Sequence, residues 1–150
     1  MKRTCTLLVV SLLAAASASA LASARPAARS SLFHTVEVRK TKLGKILVNS
    51  AGSILYEFSK DHPKKNTCAK ISGCSAIWLA YPAQGKPSAG PGVKASLLST
   101  INVPGAGEQV TYAGHPLYIY EAAPTSTSYV GVSQFGGKWY AVNAKGRAVK

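Results

Sequence analysis

A mainly β fold is predicted: a compact two-repeat module of β-hairpins, with one or two short connecting helices and one disulfide. Three observations predict it. Leu47 to Asp61, LVNSAGSILYEFSKD, and Val110 to Glu121, VTYAGHPLYIYE, align at a constant offset of 62, with Ala51-Gly52 over Ala113-Gly114 and Leu55-Tyr56 over Leu117-Tyr118. Each copy alternates apolar and polar residues on both sides of a short Gly-containing turn, which is the hairpin pattern. Cys68 and Cys74 form an even pair beyond an export-type N-terminus, so a disulfide between them is expected.

The N-terminus reads as a secretory signal peptide over residues 1–24. Lys2 and Arg3 precede the apolar run TCTLLVVSLLAAA, and the small residues SASALASA follow it. The apolar run is too short to span a bilayer comfortably, which takes about 20 apolar residues. Ala22-Ser23-Ala24 offers a cleavage site before Arg25, with Ala18-Ser19-Ala20 as the alternative. Cys5 stands ahead of the apolar run rather than at its end, so a lipid anchor is not expected. The mature chain is therefore expected to be secreted, extracellular or periplasmic, with no transmembrane segment.

Residues 25–40 are a basic lead-in, either a linker or, over Phe33 to Val38, a first strand. Residues 41–150 are expected to form one domain of two repeats, about 43–82 and 105–143. In the first, Lys45 to Asn49 runs into a turn at Ser50-Ala51-Gly52-Ser53, and Ile54 to Phe58 returns. Ile54, Tyr56 and Phe58 then share one face, and Leu55 and Glu57 the other. In the second, Glu108 to Tyr112 enters the turn Ala113-Gly114-His115-Pro116, and Leu117 to Glu121 returns. A tryptophan follows each copy, Trp78 and Trp139, at an offset of 61. Lys138 to Val142 reads as a strand. Between the copies, residues 81–92 form a Pro/Gly-rich loop and Val93 to Thr100 a short helix; residues 125–128 form a second polar loop. One hairpin alone is marginal in water, so the two are expected to pack Tyr56, Phe58, Tyr118, Tyr120, Trp78 and Trp139 into a shared core.

The chain carries 18 basic and 5 acidic residues, and 16 against 5 once residues 1–24 are removed, a net charge of +11. Such a charge attracts polyanions: cell-wall polymers, anionic lipid, nucleic acid or acidic polysaccharide. Small basic clusters occur at Arg39-Lys40-Lys42-Lys45 and Lys60-Lys64-Lys65. No aromatic-interleaved basic strip marks a specific nucleic-acid reader. The bland alternative is a solvated surface that aids solubility.

Tyr56-x-Phe58-x-x-Asp61 resembles the Y-x-[FWY]-x-x-D signature of the bacterial secreted and lipoprotein repeats of unknown function. LVNSAGSILYEFSKD, Cys68 and Cys74 ahead of Trp78, QVTYAGHPLYIY and GGKWYAV follow the order of that family's motifs, from Leu43 to Val142. The cysteine spacing is longer here, and Leu79-Ala80-Tyr81-Pro82 follows Trp78 where the family has a Pro pair. The resemblance implies an exported module and transfers no activity.

For chemistry, Asp61, His62 and His115 are a candidate Zn or Cu ligand set, against the reading of Asp61-His62-Pro63 and His115-Pro116 as turn residues. Tyr56, Phe58, Asp61, Tyr118 and Tyr120 are candidate binding residues; these aromatics, with Tyr112 and Tyr140, could form a carbohydrate or quinone platform, although alternating aromatics in hairpins more commonly build core. Cys68-x5-Cys74 is neither C-x-x-C nor a haem-attachment motif. No G-x-S-x-G, carboxylate pair or phosphate loop is present, and no cofactor is implied. The expected function is a non-enzymatic exported module that binds anionic partners at the cell envelope. The alternative is a periplasmic or extracellular redox or metal-handling protein using Asp61, His62 and His115, with or without the cysteines.

Overall fold

The computed structural model describes residues 35–122 and 128–150. The expected leader, Cys5, the lead-in up to residue 34 and most of the 125–128 loop lie outside them. The folded unit extends back to Thr35 at least, because the strand reading of the lead-in is the one observed: β1 (Thr35–Thr41) pairs antiparallel with β2 (Gly44–Asn49) along its length, from Val36 opposite Asn49 to Thr41 opposite Gly44. Next come β3 (Tyr56–Phe58), a 3-10 turn at Cys68–Lys70, the one-turn helix α1 (Cys74–Ile77), β4 (Trp78–Ala80) and β5 (Ser88–Ala89). After these run β6 (Leu98–Val103), β7 (Gly107–Tyr112), β8 (His115–Pro116) and β9 (Tyr118–Tyr120). The chain closes with β10 (Ser133–Gln134), β11 (Gly137–Val142) and β12 (Ala148–Val149). No helix among the described residues is long and apolar enough to cross a membrane.

The fold is mainly β, with three sheets: β2-β1-β5, β6-β7-β8, and a six-stranded sheet that contains β10-β11-β3-β9-β4 in order, with β12 on β11. One expectation is corrected. The helix read over Val93 to Thr100 is a single 3-10 turn at Ala95–Leu97, and Leu98 already opens β6. The segment LSTINV holds three β-branched residues, Thr100, Ile101 and Val103, and pairing with β7 outweighs its weak helical preference.

Both expected hairpins form, but each is short. After the first turn Val48 bridges Ile54, and the Leu55 N–H donates to Leu47 O; after the second, Thr111 pairs with Pro116 and the Leu117 N–H donates to Val110 O. The second turn has a two-residue loop, Ala113-Gly114, with both φ positive (50° and 85°), the type I′ geometry that matches strand twist. Both returning arms then leave their partners and enter the six-stranded sheet.

There Tyr56 lies opposite Tyr118. Phe58 lies opposite Trp139 and Tyr56 opposite Ala141, while Tyr120 lies opposite Trp78 and Tyr118 opposite Ala80. Each aromatic arm thus pairs with the tryptophan strand that follows the other arm in sequence. Trp78 and Trp139 stack face to face, with centroids 3.9 Å apart and planes 2° apart. Phe58 stacks on Trp139 at 4.2 Å, and Tyr56, Tyr118 and Tyr120 meet the indoles edge-on.

Strand alternation sends neighbours to opposite sides. Ile46, Val48, Ile54, Tyr56, Phe58, Tyr118 and Ala141 join the tryptophans and the Cys68–Cys74 disulfide in one core. Leu47, Leu55, Leu117 and Val142 face a second core with Val36, Tyr81, Val110 and Tyr112. With core on both faces, the central strands have no solvent side, and even Glu57 is buried.

Truncating either stacked indole, Trp78→Ala or Trp139→Ala, is expected to cost about 3–5 kcal/mol. The double variant should cost clearly less than the sum, because the two residues share one contact. Urea unfolding of the four proteins checks this; strict additivity would remove the stack from its central place. Reducing the Cys68–Cys74 disulfide opens the short loop it closes, a sequence separation of 6, and should cost only about 2 kcal/mol by chain entropy.

Candidate functional site

The loop after β3 turns back at Asp61 and is tied down along its length. The Asp61 N–H donates to Phe58 O at 2.9 Å, which ends the strand. Asp61 Oδ1 accepts the Thr67 N–H at 2.7 Å, and Oδ2 accepts the Tyr118 hydroxyl at 2.7 Å. Thr67 Oγ1 donates to Lys60 O, so both ends of the loop are stitched together. The Lys64 N–H donates to Gly114 O at 2.8 Å across to the β7–β8 turn, and Lys64 holds φ of +59°, a conformation that L residues adopt with strain. Asn66 Nδ2 donates to Gln109 Oε1 at 2.8 Å, and its Oδ1 caps the Ala69 N–H. Gln109 is fully buried, and its Nε2 donates to Leu117 O. The disulfide anchors the far end of the loop.

Burial sets the electrostatics of this corner. It raises the Asp61 carboxyl above its ordinary value, and the hydrogen bonds from Tyr118 and Thr67 pull it partly back. Burial also raises Glu57, opposed by His115 and reinforced by Asp61. Glu57 Oε2 lies 3.4 Å from His115 Nδ1 and has no hydrogen-bond partner among the described residues. The Tyr118 hydroxyl is held strongly in its neutral form by burial and then by the Asp61 charge, so it serves as a donor.

Above this buried layer the loop carries lysines. Lys64, Lys65, Asn66 and Lys70 form one wall of a groove of about 390 Å³, and residues 101–104 at the end of β6 form the other. Asn66 belongs to both layers: it lines the groove and is bonded to Gln109 beneath it.

The sequence-predicted residues fall into three groups. Tyr56, Phe58 and Tyr118 are 1 %, 3 % and 0 % exposed, and their rings pack on indoles and one another. Tyr120 is half-buried and stacks on Tyr129 at 3.9 Å. Tyr112 is buried, with its hydroxyl bonded to Ala144 O, and Tyr140 stands opposite Glu57.

The second group is the candidate ligand set. Asp61 engages Tyr118 and Thr67, His115 faces Glu57, and exposed His62 accepts the Lys65 N–H in a tight turn through its own carbonyl. No group of three His, Cys, Asp or Glu able to hold a metal occurs among the described residues. Asp61 and His115 do share one corner, through Glu57. The third group, Cys68 and Cys74, forms a fully buried disulfide with Cα atoms 5.4 Å apart.

Sequence reasoning passed over Gln109, Asn66, Asn102 and Lys70 at this site. Gln109 did leave a signal, a polar residue in an inward register of QVTYAGHPLY.

Asp61→Ala leaves the Tyr118 hydroxyl and the Thr67 N–H without their acceptor, and is expected to cost about 2–4 kcal/mol. Asp61→Asn should cost less. Because the folded-state pKa is raised, the folded chain holds the Asp61 proton to higher pH than the unfolded chain. The favourable contribution is full below the unfolded carboxylate value, about 4, and fades as pH rises through the folded value. The stability of the wild-type chain relative to D61N should therefore decline from acid towards neutral pH, as read by Tm. A difference that grows with pH would reverse the sign of the Asp61 shift.

No family model, curated protein or solved structure matches this chain, so the site is read from its own geometry.

Proposed function

We propose that the chain is an exported, non-enzymatic module that binds anionic polymers at the cell envelope through its basic surface. The observation that carries this reading is the separation of the two signs of charge. Of the five acidic residues, Glu57 and Asp61 turn inward, one buried and one bonded to Tyr118. Glu37 is paired with Arg39, and the Glu108 carboxylate accepts the Gly85 N–H. Glu121 is exposed, but every lysine and arginine among the described residues is exposed as well, so the outward surface is strongly positive.

Further support comes from the leader-like N-terminus and from the disulfide, which suits an oxidising compartment. We also read the chain as two copies of one unit, in line with its resemblance to the bacterial secreted repeats. The reciprocal pairing of each aromatic arm with the other half's tryptophan strand supports that reading.

Purified chain without residues 1–24 is expected to be retained on immobilised anionic cell-wall polymer at low ionic strength and to elute in moderate salt, since contacts between exposed charges are screened within about 8 Å at 0.15 M. Retention that ignores salt, or no retention at all, overturns the proposal.

A further inference from the structure

The groove between the 61–70 loop and the end of β6 differs from the rest of the basic surface. Three lysines of its lining, Lys64, Lys65 and Lys70, lie on the loop side, and no carboxylate takes part in the lining. Two carboxamides, Asn66 and Asn102, are present as neutral donors. The nearest carboxylate by strand register is Glu108, opposite Asn102, and it is engaged by the Gly85 N–H at 3.2 Å. Ile101, Val103 and Pro104 make the opposite wall largely apolar. At about 390 Å³ the groove is in the range of small-molecule sites, roughly 300–1,000 Å³.

Its shape is set before any ligand arrives. Lys64 keeps its positive φ through the bond to Gly114 O, Lys65 is fixed by the turn from His62, and Asn66 is held from below by Gln109. Lys70 closes the 3-10 turn that begins at Cys68 of the disulfide. A site held by its own scaffold loses less entropy on binding than lysines on free loops.

We infer that this groove is a binding site for a polyol phosphate, a phosphodiester-linked polymer whose phosphates meet Lys64, Lys65 and Lys70 and whose carbon linkers lie on Ile101, Val103 and Pro104. The inference rests on the polyanion-binding reading above and names its ligand class. Lysine is a compact, hydrated point charge suited to phosphate. The alternation of charge and short apolar linker in such a polymer matches a basic wall facing an apolar one. A bilayer surface is the poorer source of the same phosphodiester. The site is concave, and Leu79 is the single exposed large hydrophobic residue among the described ones, so the described surface around the groove offers no apolar cluster of the kind that enters a membrane.

The test compares three chains: the wild type, the groove variant Lys64→Gln/Lys65→Gln/Lys70→Gln, and a control with the same charge change at the β1–β2 turn, Lys40→Gln/Lys42→Gln/Lys45→Gln. Each is titrated with fluorescent poly(glycerol phosphate), with polygalacturonate as a carboxylate polyanion, and with phosphatidylglycerol vesicles, at fixed low salt. Circular dichroism and Tm confirm that the variants fold. The groove variant is expected to lose about tenfold or more in affinity for poly(glycerol phosphate), and the control only about two- to threefold.

Equal losses in both variants would overturn the groove and leave diffuse polyanion binding standing. Wild-type chain that binds none of the three probes overturns both readings. Polygalacturonate bound as tightly as the phosphate polymer overturns the phosphate assignment. Vesicles bound in preference to the polymer would transfer the site to the membrane and overturn the polymer as occupant.

Discussion

The stacked pair of Trp78 and Trp139 is the contact on which the remaining architecture depends. The two indoles belong to strands that do not pair with each other, and each strand instead hydrogen-bonds to an aromatic arm from the other half of the chain. Placing the rings at 3.9 Å therefore requires four strands, β4, β9, β3 and β11, to be in register at once. The Tyr56–Tyr118 pair at the centre of this sheet is the position where the two arms meet. The largest fully buried side chains are Trp78, Trp139, Tyr56, Tyr112 and Tyr118, and offset or edge contacts between rings add about 0.5–1.5 kcal/mol each beyond burial. The short hairpins are a consequence. Once Tyr56, Phe58 and Tyr118 are drawn to the indoles, the returning arms cannot stay paired along their first strands.

The same commitment explains the buried polar corner. Tyr118 must be buried for its ring to reach Trp139, and a buried hydroxyl needs a partner. Asp61 supplies it, with its second oxygen on the Thr67 N–H. Gln109 performs a similar office for Asn66 and for the Leu117 carbonyl. Hydrogen bonds that satisfy the core thus also fix the loop that carries the lysines. The positions of those lysines are set by packing several residues away, and charge alone does not account for them.

Much of the fold was legible because it follows from local periodicity. Alternation at Ile54, Tyr56 and Phe58, the Gly-containing turns and the offset of 61 between Trp78 and Trp139 together implied a β module with a shared aromatic core. The disulfide was legible from the even cysteine pair. What escaped was long-range or locally ambiguous. Leu97 and Leu98 stand beside a possible helical start, and only the partner strand makes Leu98 to Val103 a strand. Asp61 and Tyr118 are 57 residues apart, and no spacing rule connects them. The lysines at 64 and 65 were visible as a cluster, whereas Lys70 joins them through a 3-10 turn and Asn102 through the end of β6. The aromatics were open to two readings because a ring that stacks on a ligand and a ring that stacks on tryptophan leave the same mark in a sequence.

Surface charge and site geometry have different reach. A single exposed lysine contributes about 0–1 kcal/mol to a contact, and at physiological salt its field fades within about a Debye length. A chain that relied on its net charge alone would gather polyanions weakly and without discrimination. Burying Glu57 and Asp61 removes local competition for the lysines, but it does not orient them. Orientation comes from the tethered loop, where Gly114, Gln109, Thr67 and the disulfide each restrain one part of the backbone. The two effects are separable in principle, since a substitution that loosens the loop leaves the net charge untouched. In this fold they coincide at one corner, because the aspartate that completes the core is also the residue that turns the chain towards the groove.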